Sequence, residues 1–359
     1  MTHPFTDVPP DRFYSEPVQW AFENNITTGT TPTTFSPDDP VTRGQLVTFL
    51  KRYHDEFHAD PVDPPDPPDP PDPPNGFGTP DRMFSADSIW NTKLAQSVAY
   101  GDNRPWNDTG AGVTINRSSF YGHPRYVATS NDPVTTISAG NYENWSEVFG
   151  SGQGPREITV RFPAGVSASG GTDGHLAVID GDRLVEMYQA IPLNGGFYSP
   201  YVVEQSLSGD GRQGGTRAHR IAGVGGLVIG ADVAAGVIRH KVNLMLPQEA
   251  LTTAQAQYYW PANSKDGFPY ADQPWGAHMG ECYAIPRGVD ISWMSTDGQM
   301  LARALQDYGG IISDQAGARS LAATNHDADG FNPSQGELEF MKDNLRRVAI
   351  SEDNPTGAT

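Results

Sequence analysis

The sequence predicts a mainly β protein: a large β-sandwich or jelly-roll-like domain with a few helices, preceded by a small helical module and a Pro-Asp linker. Three observations predict it. The long carboxyl-terminal part breaks into short apolar runs, among them REITVRFP, HLAVID, RLVEMYQA, GGLVIG and GVIRHKVNLMLP, divided by Gly, Pro, Asn and Asp. The 359 residues include 39 glycines and 31 prolines with 19% charged residues, a loop-rich, strand-rich balance. Residues 60–74 read DPVDPPDPPDPPDPP. Proline fixes φ, lacks an N–H and pushes the preceding residue out of the helical region, so this run cannot continue a helix or a central strand. Its aspartates repel one another, and the run is expected to be an extended, exposed spacer. The chain then divides into a module at 1–58, a linker at 59–79, a large domain at 80–350 and a disordered tail at 351–359.

The elements follow in order. Ser15 can cap a helix with Val18, Ala21 and Phe22 on one face and Trp20 at its edge. Gly29 and the Thr/Pro stretch end it. Pro40 and Thr42 open a second helix bearing Leu46, Phe49, Leu50 and Tyr53. After the linker come the strands. Late in the chain, one helix is expected over 298–308, stopped by Gly309-Gly310, and another over 334–347, opened by a Ser334/Glu337 capping box.

The net charge is −19, with a sequence pI of about 4.7, and five aspartates of the linker contribute to it. Such a surface repels nucleic acid and anionic membranes, so neither is an expected partner. Cys282 is the only cysteine, which excludes an intrachain disulfide and a thiolate metal site. No run is long and apolar enough to insert in a membrane. Met1 leads straight into Phe5-Thr6-Asp7-Val8, so the expectation is either that a leader has been removed or that the protein leaves its cell without one. The expected setting is extracellular: a cell surface, or a virion released by lysis.

The most informative piece of the large domain is the hairpin from Asp173 to Ala190. A Gly181-Asp182 turn sets Asp180 opposite Arg183, Ala177 opposite Glu186 and His175 opposite Tyr188. Side chains alternate faces. One face then carries Leu176, Val178, Val185 and Met187 as core. The other carries Asp173, His175, Glu186 and Tyr188, with Ala177 leaving space beside them. A carboxylate, an imidazole and a phenol on one face suit general acid–base chemistry, and equally a cleft that binds sugar hydroxyls. A solvated outer face is the plainer reading of the same pattern.

His240 alternates with Ile238, Val242 and Leu244, which makes it a core histidine or a catalytic one at a cleft floor. Asp314 follows Ile311-Ile312 and either orients a base or caps a turn. Arg217, His219 and Arg220 share a Gly/Arg-rich stretch suited to a carboxylated sugar or to a plain surface loop. Trp145, Tyr198, Tyr201, Tyr258, Tyr259, Trp260 and Trp275 sit in loop-like stretches where rings can stack on pyranoses. Metal-ligand spacing is absent; Asp327 and Asp329 only partly match a calcium loop. No nucleophile elbow, Walker loop or dinucleotide fingerprint occurs, and GVGGLVIG is read as lacking both the spacing of one and a following helix. No cofactor is expected.

Two resemblances add to this reading. Phe5-Thr6-Asp7-Val8, Trp20-Ala21, Ile26-Thr27-Thr28-Gly29, Phe35-Ser36-Pro37-Asp38 and Val41-Thr42-Arg43 closely resemble an S-layer homology domain. The resemblance implies docking onto cell-envelope polysaccharide, with Arg43 contacting the glycan. The usual acidic residue after that arginine is replaced by Gly44-Gln45. Such modules usually come in threes, so a single copy implies completion as a homotrimer. The large domain, through FSADSIWNT, TDGHLAVID, GVIRHKV and ALQDYGGIISD, resembles an uncharacterised family of extracellular bacterial domains. That resemblance marks Asp173, His175, Glu186, His240 and Asp314, with Lys241 and Asn243 and a shortened stretch after Trp260-Pro261-Ala262 as departures. The overall layout is similar to tail-associated proteins of phages that infect actinobacteria. Two functions follow as expectations. One is a surface- or virion-held glycoside hydrolase or lyase acting on envelope or extracellular polysaccharide. The other is a non-enzymatic tail or adhesin-like protein that binds host-surface glycan.

Overall fold

The computed structural model describes residues 3–57, 76–108, 110–144, 154–266, 270–328 and 330–359. The linker run at 60–74 therefore lies outside the described residues, as do Trp145 and Asp329. The chain forms two compact units, 1–68 and 69–359, and is mainly β with a small helical module at its amino end.

The small unit holds two helices, α1 (Ser15–Glu23) and α2 (Arg43–Phe57). Its core is Phe5, Val8 and Val18, flanked by Tyr14, Phe22 and Phe35. Asp7 ties the Phe5 segment to the later loop by accepting from the backbone N–H of Phe35 at 2.9 Å and Ser36 at 2.8 Å. At α2 the Thr42 hydroxyl accepts from Gln45 N while the Gln45 amide oxygen accepts from Thr42 N, a reciprocal cap. Gln45 thus does locally what an acidic residue near this position would do. The expected apolar face of α2 exists but is not buried: Leu46, Leu50 and Tyr53 are exposed, as is Val47.

In chain order the large unit contains α3 (Arg104–Asn107), β1 (Val113–Asn116), β2 (Arg125–Ala128), β3 (Val134–Ala139), β4 (Tyr142–Asn144), β5 (Arg156–Arg161), β6 (Leu176–Asp180) and β7 (Arg183–Tyr188). There follow β8 (Ile191–Leu193), β9 (Gly196–Ser199), β10 (Tyr201–Ser206), β11 (Leu227–Val228), α4 (Gly230–Ala235), β12 (Val242–Leu246) and β13 (Cys282–Ala284). The last elements are α5 (Thr296–Asp307), β14 (Gly310–Gln315), β15 (Arg319–Thr324), α6 (Gln335–Asn344) and β16 (Arg346–Val348).

These strands form three sheets. One runs β5-β3-β9-β8, a second β2-β6-β7-β10-β4, and the third β1-β15-β12-β14-β13-β16 with β11 beside β15. Alternation along the strands shows how they stack. Leu176, Val178, Val185 and Met187 pack with Ile137, Val160 and Phe197 of the four-stranded sheet. The intervening residues Ala177, Ile179 and Leu184 pack instead with Met245, Ile311 and Ala323 of the third sheet, around Phe84 and Trp90. The far side of the third sheet, through Leu244, Ile312 and Leu321, meets Leu301 and Leu305 of α5 and Met341 of α6. The β6–β7 hairpin is therefore covered by another sheet on both faces.

The Gly181-Asp182 turn and its register are present: Ala177 pairs with Glu186 and Asp180 with Arg183, and Gly181 has φ +64. Ser295 caps α5 by accepting from Gly298 N, and the Ser334/Glu337 capping box opens α6. α6 stops at Asn344 because the next residues form β16 against β13. In GVGGLVIG the glycines admit a ring: a Cβ on Gly225 would lie 2.5 Å from Trp90 Cε2. Contrary to the expectation of no following helix, the six-residue α4 starts on the last residue of this segment, Gly230, and is capped by Asp232. Residues 351–359, expected to be disordered, are instead tied down, with Ala95 N donating to Thr356 O at 2.9 Å and Gly357 against Val98 and Val348.

Candidate functional site

The hairpin's polar face is not a solvated surface. Because the third sheet covers it, His175 and Glu186 are buried. Glu186 accepts from Val224 N at 3.0 Å, and its Oε1 lies 3.7 Å from His123 Nε2. The His123 ring stacks on that of His175 at 4.7 Å and 16°. His175 Nδ1 meets Thr216 Oγ1 at 3.1 Å. Burial pushes the Glu186 carboxyl up to about 7, and it drives His123 and His175 well below the usual imidazole range. The cluster is thus an acid held near neutrality beside two neutral imidazoles.

A cavity of about 480 Å³ opens at the ends of these strands. Asp173, His175 and Tyr188 come to it from the hairpin, Arg217 and Arg220 from the following loop, and Asp314 from β14. Lys265, Asp266 and Tyr201 complete its charged and aromatic walls. A second cavity of about 270 Å³ adjoins it and shares Asp173, Arg217, Asp314 and Gln315. Arg217 is buried and donates to Asp314 Oδ2 at 2.9 Å. Burial pushes Asp314 up to about 7 against the pull of Arg217, with Asp266 and Asp173 adding like charge. Asp266 is raised as well, first by burial. Burial, then Asp173, raises the Tyr188 phenol.

Seven of the sequence-derived candidates therefore line one cavity: Asp173, His175, Tyr188, Tyr201, Arg217, Arg220 and Asp314. Glu186 lies behind it in the interior. His219 is not on a covering loop; it is fully buried, its N–H donating to Ser313 O, its ring edge-on to Trp90, and its pKa lowered to about 3, chiefly by burial. His240 is elsewhere. It pairs with Asp232 at 3.2 Å in a small pocket with Asp81, Arg82 and Arg239. Burial alone would lower its pKa, but Asp232 and two hydrogen bonds raise it overall. Trp260 takes the Arg212 guanidinium over its ring and does not line the cavity. Trp275 borders a different pocket, beside His278 and Glu281. Arg43 is the exposed first residue of α2.

Sequence reasoning missed His123, Asp266, Lys265 and Thr216. Each sits in an irregular segment, YGHPRY, NSKDG or GGTRA, where no period marks a side chain's direction. For His123 and Asp266 the one available signal was the pairing of a titratable residue with glycine or proline, which is common in any loop. Among the described residues no group of three or more His, Cys, Asp or Glu is arranged to hold a metal ion, and no helix is long and apolar enough to cross a membrane.

The fold and site define a layered β domain with a charged cavity, joined in one chain to a small helical module. Residues 4–47 match the S-layer homology domain, so the chain carries such a domain and is associated with a cell surface. Domains of this kind typically bind secondary cell-wall polymers. No curated protein and no solved structure matches the chain.

Proposed function

We propose that the protein is held at a cell envelope by its S-layer homology domain while the large domain cleaves envelope or extracellular polysaccharide by carboxylate/imidazole acid–base chemistry. The observation that carries this reading is the buried Arg217–Asp314 pair in one open cavity, which Asp173 and Asp266 also line, with His175 and Tyr188 on its wall. Glycosidic cleavage needs one group that gives a proton to the departing oxygen and another that takes one. In hydrolysis the second proton comes from water; in elimination it comes from the carbon beside a uronate carboxylate. Asp314, poised near 7, is the candidate donor, and Asp173 is the candidate acceptor. Tyr188 offers a ring face and a hydroxyl to a sugar.

The single S-layer homology copy and the exposed apolar face of α2 support self-association of that module as a homotrimer. Arg43 is then the candidate glycan contact.

The test is incubation of the full-length protein with cell-wall and extracellular glycans, reading new reducing ends and the ultraviolet absorbance of unsaturated products. Turnover that falls about 10²–10⁴-fold in Asp314→Asn supports the reading. Glycan binding with neither signal would make the large domain a binding module, as in a phage tail protein or an adhesin.

A further inference from the structure

We propose that the pocket around His278 is a second binding site, which takes one neutral, hydroxyl-rich sugar unit. The site is independent of the cleavage reading, because it shares no lining residue with the two cavities beside Asp314. Backbone geometry builds it. Residues 278–281 form a tight turn, with Glu281 N donating to His278 O at 3.2 Å. Gly280 has φ +88 in this turn, and a Cβ on it would lie 1.9 Å from Tyr259 O, so only glycine fits. The turn brings two side chains together: His278 Nδ1 meets Glu281 Oε1 at 3.1 Å.

Glu281 is held from two further sides. It accepts from the Tyr283 hydroxyl at 3.0 Å, and Arg347 reaches its Oε1 at 2.8 Å. Arg347 already matches the carboxylate's charge, so the buried His278 ring is neutral and donates its Nδ1–H to Glu281. That hydrogen bond selects the tautomer and leaves a lone pair on Nε2. Nε2 is buried and has no hydrogen-bond partner among the described residues, and the ring forms part of the pocket wall. A buried acceptor in this position is completed by a donor from water or from a ligand. The other walls narrow the choice of donor. Asp102 and Gln255 add acceptors, and Trp275 adds an indole. Glu281 is matched by Arg347, and Asp102 lies 3.8 Å from Arg104, so the pocket offers little charge for an ion to seek. Neutral hydroxyls beside an aromatic ring fit these walls. The space is about 80 Å³, against the roughly 10–15 Å³ that one water needs. It suits the edge of one sugar ring and not a run of several.

The experiment uses the full-length protein with isotope-labelled histidines. One arm adds free glucose, galactose, mannose, arabinose or N-acetylglucosamine to the wild type. The other adds short galactan, mannan, arabinan or β-glucan oligosaccharides to Asp314→Asn, so that no linkage is cut. Ring nitrogens are read by NMR and affinity by isothermal calorimetry; the His278 signals are assigned by their loss in His278→Phe. The expected result is a His278 ring protonated on Nδ1 and bare on Nε2, whose Nε2 signal moves on saturation with at least one sugar. Ala254→Trp, on the exposed rim, should weaken that binding at least tenfold by filling the mouth. His278→Phe keeps a ring, removes the acceptor and should weaken it by roughly tenfold. Melting curves check that both variants fold, and if His278→Phe does not, Ala254→Trp and the wild-type signal decide. A response to free sugars identifies the source as sugar in solution, and a response to oligosaccharides alone identifies chain ends; both support the site. A protonated Nε2, an Nε2 signal that no sugar moves in either arm, or an affinity unchanged in Ala254→Trp overturns it. Because the reporter is His278 and not turnover, loss of the cleavage reading leaves this result standing.

Discussion

The Arg217 guanidinium reaches Asp314 at 2.9 Å, and this one ion pair forms the floor of both cavities. Arg217 is the cation that holds down a carboxyl surrounded by Asp173 and Asp266. Replacing it with methionine keeps much of the volume but removes that charge. The Asp314 carboxyl, already up to about 7, must then rise further. The expected outcome is a pH–rate profile whose limb moves to higher pH, since the carboxyl left without its cation takes up a proton. An unmoved limb would remove Asp314 from the titration that controls turnover.

Glu186 gives a prediction about stability. Its folded carboxyl titrates near 7 against an ordinary 4.5, so between those values the folded state holds more protons than the unfolded chain. Its contribution is complete below about 4.5 and is lost as pH rises toward 7, by roughly 3 kcal/mol. Asp314 acts in the same direction. The buried His123, His175 and His219 act oppositely: depressed below the usual imidazole value, they weaken the fold as pH falls under about 6.5. The wild-type melting curve therefore mixes opposed slopes, and the difference between variants is the useful quantity. Glu186→Gln should gain melting temperature over wild type as pH rises from 5 to 8. An equal difference at both ends would show that Glu186 ionises as it does in water.

His240 provides the contrast. Its Nε2 meets Asp232 at 3.2 Å, and the same carboxylate caps α4 by accepting from Ile229 N. His240→Ala should cost roughly 1–3 kcal/mol through the lost buried partner. Turnover should be unchanged at a temperature where both proteins are folded, because His240 lies away from the cavity. A large fall in kcat without a fall in stability would restore it to the catalytic set.

The small unit exposes Leu46, Val47 and Leu50 along one helix. A solvent-facing apolar stripe of this kind marks a contact surface. Sedimentation of the full-length protein should give a trimer at high concentration, and Leu50→Asp should give a monomer with unchanged helix content. A wild-type monomer at all concentrations that still binds wall polymer would reject self-association.

What the chain determined by itself is what short-range chemistry controls. The reciprocal cap at Thr42, the Ser295 cap of α5, the Ser334/Glu337 box of α6 and the Gly181-Asp182 turn each depend on atoms a few residues apart. The hairpin register was legible for the same reason, and with it the set of residues sharing a face with Glu186. What that face meets was decided only by tertiary structure. Alternation of polar and apolar residues cannot distinguish a wet face from one covered by another sheet. The third sheet covers it here, and so Glu186 became an interior acid and His175 a buried wall of the cavity. His123 and Asp266 were delivered by irregular loops whose direction depends on contacts across the whole domain. α2 shows the limit from the other side: the sequence drew its apolar stripe, and packing within the small unit left it open.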